Sequence, residues 1–282
     1  VPVTRTPRTA DTAYDERRAH TPAATTIPDA PTTGENAPPR TTGAARAASE
    51  EFDRQVRVLV DKGYPGLCGT DAEGFAAFVE PLRAHALAHA PSGAHGATES
   101  GEATEPPAHG RAPFLLVITR EAVPIEETMP LTRLIRGTRP GFVDHTFEEG
   151  ALARFTTVPE SAPPPVTPTG PGEPGTAPRA YLLLGADRGE EFCGAVPNDA
   201  LEEIRRRGRS PLTIEEGIAF VTLFPEALEK NKCFSLAGSR CGDRRVPAVW
   251  IGKRSPKLGW CWEGNPHTWL GMASAESRTG AL

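Results

Sequence analysis

Apolar residues recur at helical spacing at Phe52, Val56, Leu59 and Val60. That pattern predicts a helix capped by Ser49 and closed by Gly63. Thr70-Asp71-Ala72-Glu73 has the form of a capping box, ahead of the stripe Phe75, Phe78, Val79 and Leu82, which Pro81 should kink. The two helices read as an αα-hairpin. Continuous apolar runs predict strands at Pro113–Thr119 and Tyr181–Leu184, with short strands at 145–147 and 153–158. Leu131, Leu134 and Ile135 allow a short helix within 123–141. Asn198 is placed to cap a helix closed by Gly208, and Thr213-Ile214-Glu215-Glu216 opens another with a second capping box.

From Cys233 the period turns strand-like. Strands are expected at 233–236, 245–251, 258–262 and 267–271, the middle two joined by a six-residue loop, Gly252–Lys257. Alternation puts Val246, Ala248 and Trp250 on one face, and Trp260 and Trp262 together, opposite Cys261. At least two of the four tryptophans should be buried as anchors. The expected fold is α+β: an N-terminal αα-hairpin and further helices packed on a small, mainly antiparallel sheet ending in a Trp-rich β-hairpin.

Composition trims the folded part. Residues 1–48 are rich in Thr, Ala, Pro and Arg with few large apolar side chains, and read as a disordered tail. Residues 90–111 and the proline-rich 159–179 read as flexible interruptions of one domain spanning 49–272, and 273–282 as a flexible C-terminus. Five scattered cysteines without a disulfide framework favour a reducing cytoplasm. No apolar run reaches bilayer-spanning length, so no membrane partner is expected.

Charge is uneven. The net value of −5 divides into zero over 1–50, −10 over 51–230 and +5 over 231–282. The Trp-rich end is therefore basic against an acidic body, which reads either as charge balance between two packed halves or as an anion-binding face. The segments GRSPLTIEEGIAF, CFSLAGSRCGDRRVPAVWI and PKLGWCWEGNPHTWLG together resemble an uncharacterised family of actinobacterial cytoplasmic proteins, a domain of unknown function. The resemblance runs from about Phe52 to Met272 and implies a bacterial cytoplasmic protein. It supplies no functional residues.

The candidate chemistry lies in this C-terminal block. The leading expectation is a binding or interaction module for an anionic or polar ligand, either a small molecule or a protein. Arg240 and Arg244 of a Gly-containing loop would supply forked donors, and Asn265, His267 and Trp269 would complete the wall. Trp beside Arg also suits single-stranded nucleic acid, which the acidic balance of the whole chain disfavours. One alternative is a small enzyme with Cys261 as nucleophile, His267 as base and Asp243 as orienter. Another is a structural zinc module on Cys233, Cys241, Cys261 and His267, although their spacing lacks a knuckle pair. No metal and no other cofactor is expected. Phosphate-loop, dinucleotide and nucleophile-elbow motifs are absent from the sequence.

Overall fold

The structure, a computed structural model, describes residues 43–89, 110–166 and 175–282. Contacts divide the chain into Val1–Arg40, outside the described residues, and Thr41–Leu282, to which everything below refers. Most of the expected tail and interruptions also fall outside the described residues.

Helix α1 (Gly43–Asp61) buries Ala48, Phe52, Gln55 and Leu59 on one face. It begins before Ser49, so that hydroxyl does not cap it; its oxygen instead accepts from Arg83 Nη1 at 3.1 Å. Gly63, at φ +89°, turns the chain into α2 (Tyr64–Leu67). The cap of α3 (Ala72–Val79) is Asp71, whose Oδ1 accepts from Gly74 N at 2.8 Å. Pro81 then forces a 3₁₀ turn, Glu80–Leu82, before α4 (Arg83–Ala88). This unit packs on the first sheet through Gln55. Its amide donates to Phe114 O at 2.9 Å and accepts from Leu116 N at 2.8 Å. Those two groups lie on an edge strand, so one buried side chain satisfies backbone that would otherwise be orphaned.

That edge strand is β1 (Arg111–Ile118). It is followed by α5 (Ile125–Thr128), β2 (Phe142–Val143), β3 (Thr156–Thr157), β4 (Ala180–Asp187), α6 (Pro197–Arg206), β5 (Ser210–Pro211) and α7 (Ile214–Leu223). Then come β6 (Cys233–Ser235), β7 (Ser239–Arg240), β8 (Arg245–Gly252), β9 (Ser255–Trp262), β10 (Leu270–Met272), β11 (Ser274–Ala275) and β12 (Ser277–Thr279). The first sheet has the order β1-β4-β11-β5, with β12 also on β4, all antiparallel. The second has the order β10-β6-β8-β9-β2, parallel only at β10–β6 and β2–β9. A small third pair joins β3 and β7. The architecture is the α+β fold expected, with the strands divided among separate sheets.

Helix α7 lies in the core and touches α1, β1 and β8. Nine of its ten residues are buried. Its Phe220 ring sits 5.7 Å from that of Phe234 on β6. Phe234, Val249 and Leu258 share one face of the second sheet and join this core. Val246 on the opposite face joins Met272, Ala237, Phe192 and α6 residues Ala200, Leu201 and Ile204. Gly217 allows the approach of β6: a Cβ there would sit 2.4 Å from a Leu236 methyl.

Three expectations are corrected. The six-residue hairpin loop is a two-residue turn, because β8 runs to Gly252 and β9 starts at Ser255; Lys253 and Arg254 adopt φ of +52° and +63°. The flexible C-terminus is two strands, with Leu282 N donating to Ala180 O at 2.9 Å and Thr279 hydrogen-bonded to His85 at 3.0 Å. No tryptophan is fully buried: Trp250, Trp260 and Trp269 are half-buried against the core and Trp262 is exposed. Phenylalanine and leucine fill the buried centre instead.

The C-terminal strand closes the molecule electrostatically. Glu216, fully buried in the first turn of α7, accepts from Arg278 Nε at 2.6 Å, Arg278 Nη2 at 2.8 Å, the Tyr181 hydroxyl at 2.7 Å and Thr213 N at 2.7 Å. Thr213 Oγ1 accepts from Glu216 N at 3.3 Å and completes the capping box. Removing one partner of such a pair strands a buried charge, so Arg278→Met should cost about 3–5 kcal/mol in chemical denaturation. Arg46→Ala, at the exposed Arg46–Glu50 pair, should leave stability close to wild type. Equal losses would remove the central role of Glu216.

A second buried carboxylate gives a pH signature. Asp144 is 4% exposed. Burial alone would raise its pKa, but hydrogen bonds from Lys257 and Thr146 outweigh that and hold it at about 2. A depressed folded pKa contributes stability above the unfolded value that is lost as the pH falls. The stability gap between the wild type and Asp144→Asn should therefore be full above about pH 4 and close toward pH 2. Denaturant melts across that range check this, and a pH-independent gap would contradict it.

Candidate functional site

The loop between β7 and β8 carries the arginines that the sequence singles out, and two carboxylates, Glu263 and Asp243, are shared among three of them. Arg240 donates to Glu263 and to Asp243 O at 3.2 Å. Arg244 Nε lies 3.5 Å from Glu263 Oε1. Arg245 Nε donates to Asp243 Oδ2 at 2.8 Å, and its guanidinium lies over the rings of Phe155 and Trp260. Glu263, absent from the expected set, is therefore paired with two of the loop's arginines. Arg244 alone keeps an exposed side chain, at 71%.

The other expected wall lies elsewhere. Asn265 and His267 line a recess with Phe192, Pro197, Leu270 and neighbouring residues, of about 10 Å³. That is about the space of one water. The His267 ring sits 5.3 Å from Trp269, which meets Trp250 edge-on at 6.1 Å. Trp250 in turn covers Gly259 and receives Lys257 at 5.0 Å over its ring. The structure thus brings Arg240 to Arg244, and His267 to Trp269 and Asn265. Neither arginine lines the recess of Asn265 and His267.

The cysteines are likewise dispersed. Cys261 sits across from Val246, opposite Trp260 and Trp262, whose rings meet at 4.9 Å. Burial pushes its thiol up to about 11, the wrong direction for a nucleophile at neutral pH. Asp243 is held by Arg245 and by the Cys241 thiol at 3.2 Å, and no hydrogen bond joins Cys261 to His267. Cys233 is buried on β6, where burial raises its thiol too. Among the described residues no three His, Cys, Asp or Glu side chains form a group that could hold a metal ion.

A different set of cations stays unanswered. Apart from Arg57, Arg179 and Lys230, the described lysines and arginines that lack an ion pair are Lys62, Arg133, Arg136, Arg139, Lys253 and Arg254. These six gather. Gly141 N donates to Thr132 O at 3.0 Å and closes the loop 132–141 at its base. A Cβ on Gly141 would collide with Thr132 Oγ1 at 2.0 Å, so glycine is required there. Ser255 Oγ binds the carbonyls of Arg139 and Pro140, and Arg139 Nη1 donates to Lys253 O at 3.3 Å. These bonds dock the loop on the hairpin turn. Lys62 lies close enough to Arg133 that its ammonium pKa is lowered, by burial first and then by that charge.

The backbone of this patch is also unusual. Of the four non-glycine residues at positive φ among the described residues, three are Arg136, Lys253 and Arg254. Such conformations cost about 1 kcal/mol or more each and concentrate at functional sites. The sequence carried a signal for this patch in LTRLIRGTRPG, but the run was read there only as a possible short helix.

A cleft of about 940 Å³ lies between α1, the β1–β4 edge and α6, with Ala48, Phe114, Phe192 and Ile204 in its walls. Its charged side chains include the ion pairs Arg111–Asp187, Arg207–Glu191 and Arg209–Glu276.

No helix among the described residues is long and apolar enough to cross a membrane. No curated protein and no solved structure matches the chain. Residues 58–281 match one family over most of the described fold, from the last turn of α1 to beyond β12. The chain belongs to that family, the family of unknown function DUF5701.

Proposed function

We propose that this protein is a cytoplasmic binding module whose basic surface, formed by the loop 132–141 and the Lys253–Arg254 turn, recognises an anionic partner. The supporting observation is the gathering there of cations without carboxylates, while Arg240, Arg244 and Arg245 share Glu263 and Asp243. Like charges held together repel, by ~1 kcal/mol per pair at 4 Å even in water. A partner's anions would relieve that repulsion. Five free thiols support the cytoplasmic assignment. The expected anion site is thus kept in kind and moved from the Arg240–Arg245 loop to the hairpin tip.

The test compares two double variants on immobilised heparin, a generic polyanion. Arg136→Glu/Arg139→Glu should elute at markedly lower salt, with a melting temperature close to wild type because neither side chain is ion-paired, the one bond lost (Arg139 to Lys253 O) is exposed, and the Ser255 bonds to the Arg139 and Pro140 carbonyls remain. Arg240→Ala/Arg244→Ala should change elution much less. The opposite ranking would return the site to the Trp-rich loop.

A second reading is favoured by the cleft, whose size falls in the range of small-molecule pockets. Its walls suit a ligand with an apolar body. Anilinonaphthalene sulfonate should brighten on binding the folded protein, and Ala47→Trp, which fills the cleft from α1, should abolish the signal without lowering the melting temperature. Undiminished fluorescence in that variant would place the dye elsewhere.

A further inference from the structure

Ile135 is 61% exposed, the most exposed large apolar side chain among the described residues. A single exposed aliphatic residue is ordinary on a protein surface. Its setting is not ordinary. Gly137 N donates to Leu134 O at 2.8 Å, so Leu134–Gly137 is a closed turn with Ile135 and Arg136 at its two central positions. Leu134 packs on the core from one side of that turn, and Thr132 anchors its base fully buried. Ile135 is therefore carried outward on a braced turn, between Arg133 and Arg136 in sequence and within the uncompensated patch. A fixed apolar point ringed by arginines resembles the anatomy of a protein interface, with an apolar centre, a polar rim and arginine enriched.

Resting on the anionic-partner reading above, we infer that the partner is a short acidic segment of another protein carrying one apolar anchor residue, seated against Ile135 while its carboxylates meet Arg133, Arg136, Arg139, Lys253 and Arg254. Charge balance separates this from larger polyanions. With the six patch cations set aside, a chain of net charge −5 is left with −11 on the rest. A duplex or an anionic bilayer is broad enough to face that acidic remainder. A segment of a few residues stays within the patch, because screening cuts the field over about 8 Å at physiological salt. Base stacking has no platform here either: the nearby Phe142 ring is covered by Lys253 at 5.7 Å. Arginine offers paired donors to a carboxylate, and the docked loops hold them ready, which limits the ordering cost of binding.

The test uses four probes on the full chain: a fluorescent peptide Asp-Glu-Asp-Leu-Glu-Asp-Glu, the same peptide with Ser in place of Leu, a single-stranded 20-nucleotide DNA, and phosphatidylglycerol vesicles. The Leu peptide should bind about fivefold more tightly than the Ser peptide, the scale of partly burying one aliphatic side chain. Ile135→Ser should erase that ratio and leave Ser-peptide binding unchanged. Arg136→Glu/Arg139→Glu should weaken both peptides. A ratio near one in the wild type, a ratio that survives Ile135→Ser, or binding of DNA or vesicles in preference to the peptides each overturns the acidic-segment inference. In all those cases salt-sensitive heparin retention that depends on Arg136 and Arg139 would leave the broader anionic reading standing; loss of heparin retention dependence would remove both.

Discussion

Everything in this fold turns on finding partners for one carboxylate. Glu216 has no exposed surface, and a bare charge there would be prohibitively costly. Its oxygens are satisfied by the Thr213 amide, the Tyr181 hydroxyl and the Arg278 fork. Arg278 also donates to Ser210 Oγ at 2.6 Å and Pro211 O at 3.0 Å. One side chain thus joins the start of α7 to β4, β5 and β12. Burial pushes the Tyr181 hydroxyl well above its usual pKa, and the neighbouring Glu216 charge adds to that, so the hydroxyl stays a donor. The last strand is accordingly part of the core. Its position also brings Ala273, fully buried, to the point where the chain leaves the second sheet for the first.

Local chemistry was legible in the sequence and long-range pairing was not. The Thr213 capping box, the Phe75–Val79 stripe, the Pro81 break and the β8–β9 alternation each depend on residues within a few positions of one another, and each is present. The role of Arg278 depends on Glu216, 62 positions away, and a polar, glycine-containing tail reads as flexible without it. Gln55 hides for a similar reason: an amide on a helix shows no sequence sign that it will complete the edge of a sheet. The hairpin loop was misread because Lys and Arg rarely occupy left-handed turn positions, which normally call for glycine or asparagine.

The residues of the expected site are present, but they do not line one pocket: Arg240 and Arg244 meet at Glu263, while Asn265 and His267 line a small recess. The basic excess after residue 231 is real. What a residue count cannot supply is which cations are already used. Glu263 and Asp243 reach the Arg240–Arg245 loop because the strand register lays Glu263 beside Arg244, with Glu263 N donating to Arg244 O at 2.9 Å. The same pairing excludes the assembled Cys261, His267 and Asp243 set, since Asp243 is turned toward Arg245 and Cys241. Available charge is what remains after folding has matched the rest, and it lies on loops that composition treats as connectors.

Strain and repulsion then occur together at one place. A turn of Lys253 and Arg254 with both residues at positive φ is less stable than the same turn built from Asn-Gly. Arg136 repeats the cost on the docked loop. Stability alone would favour glycine at these positions and a carboxylate nearby. The fold instead spends bonds from Ser255, Arg139 and Thr132 on holding the cationic version in place. Elsewhere the same chain matches Arg188, only 1% exposed, with both Glu190 and Glu229. The contrast between a buried arginine paired twice and a braced, strained cluster left without carboxylates is what the proposed contact with an anionic partner rests on.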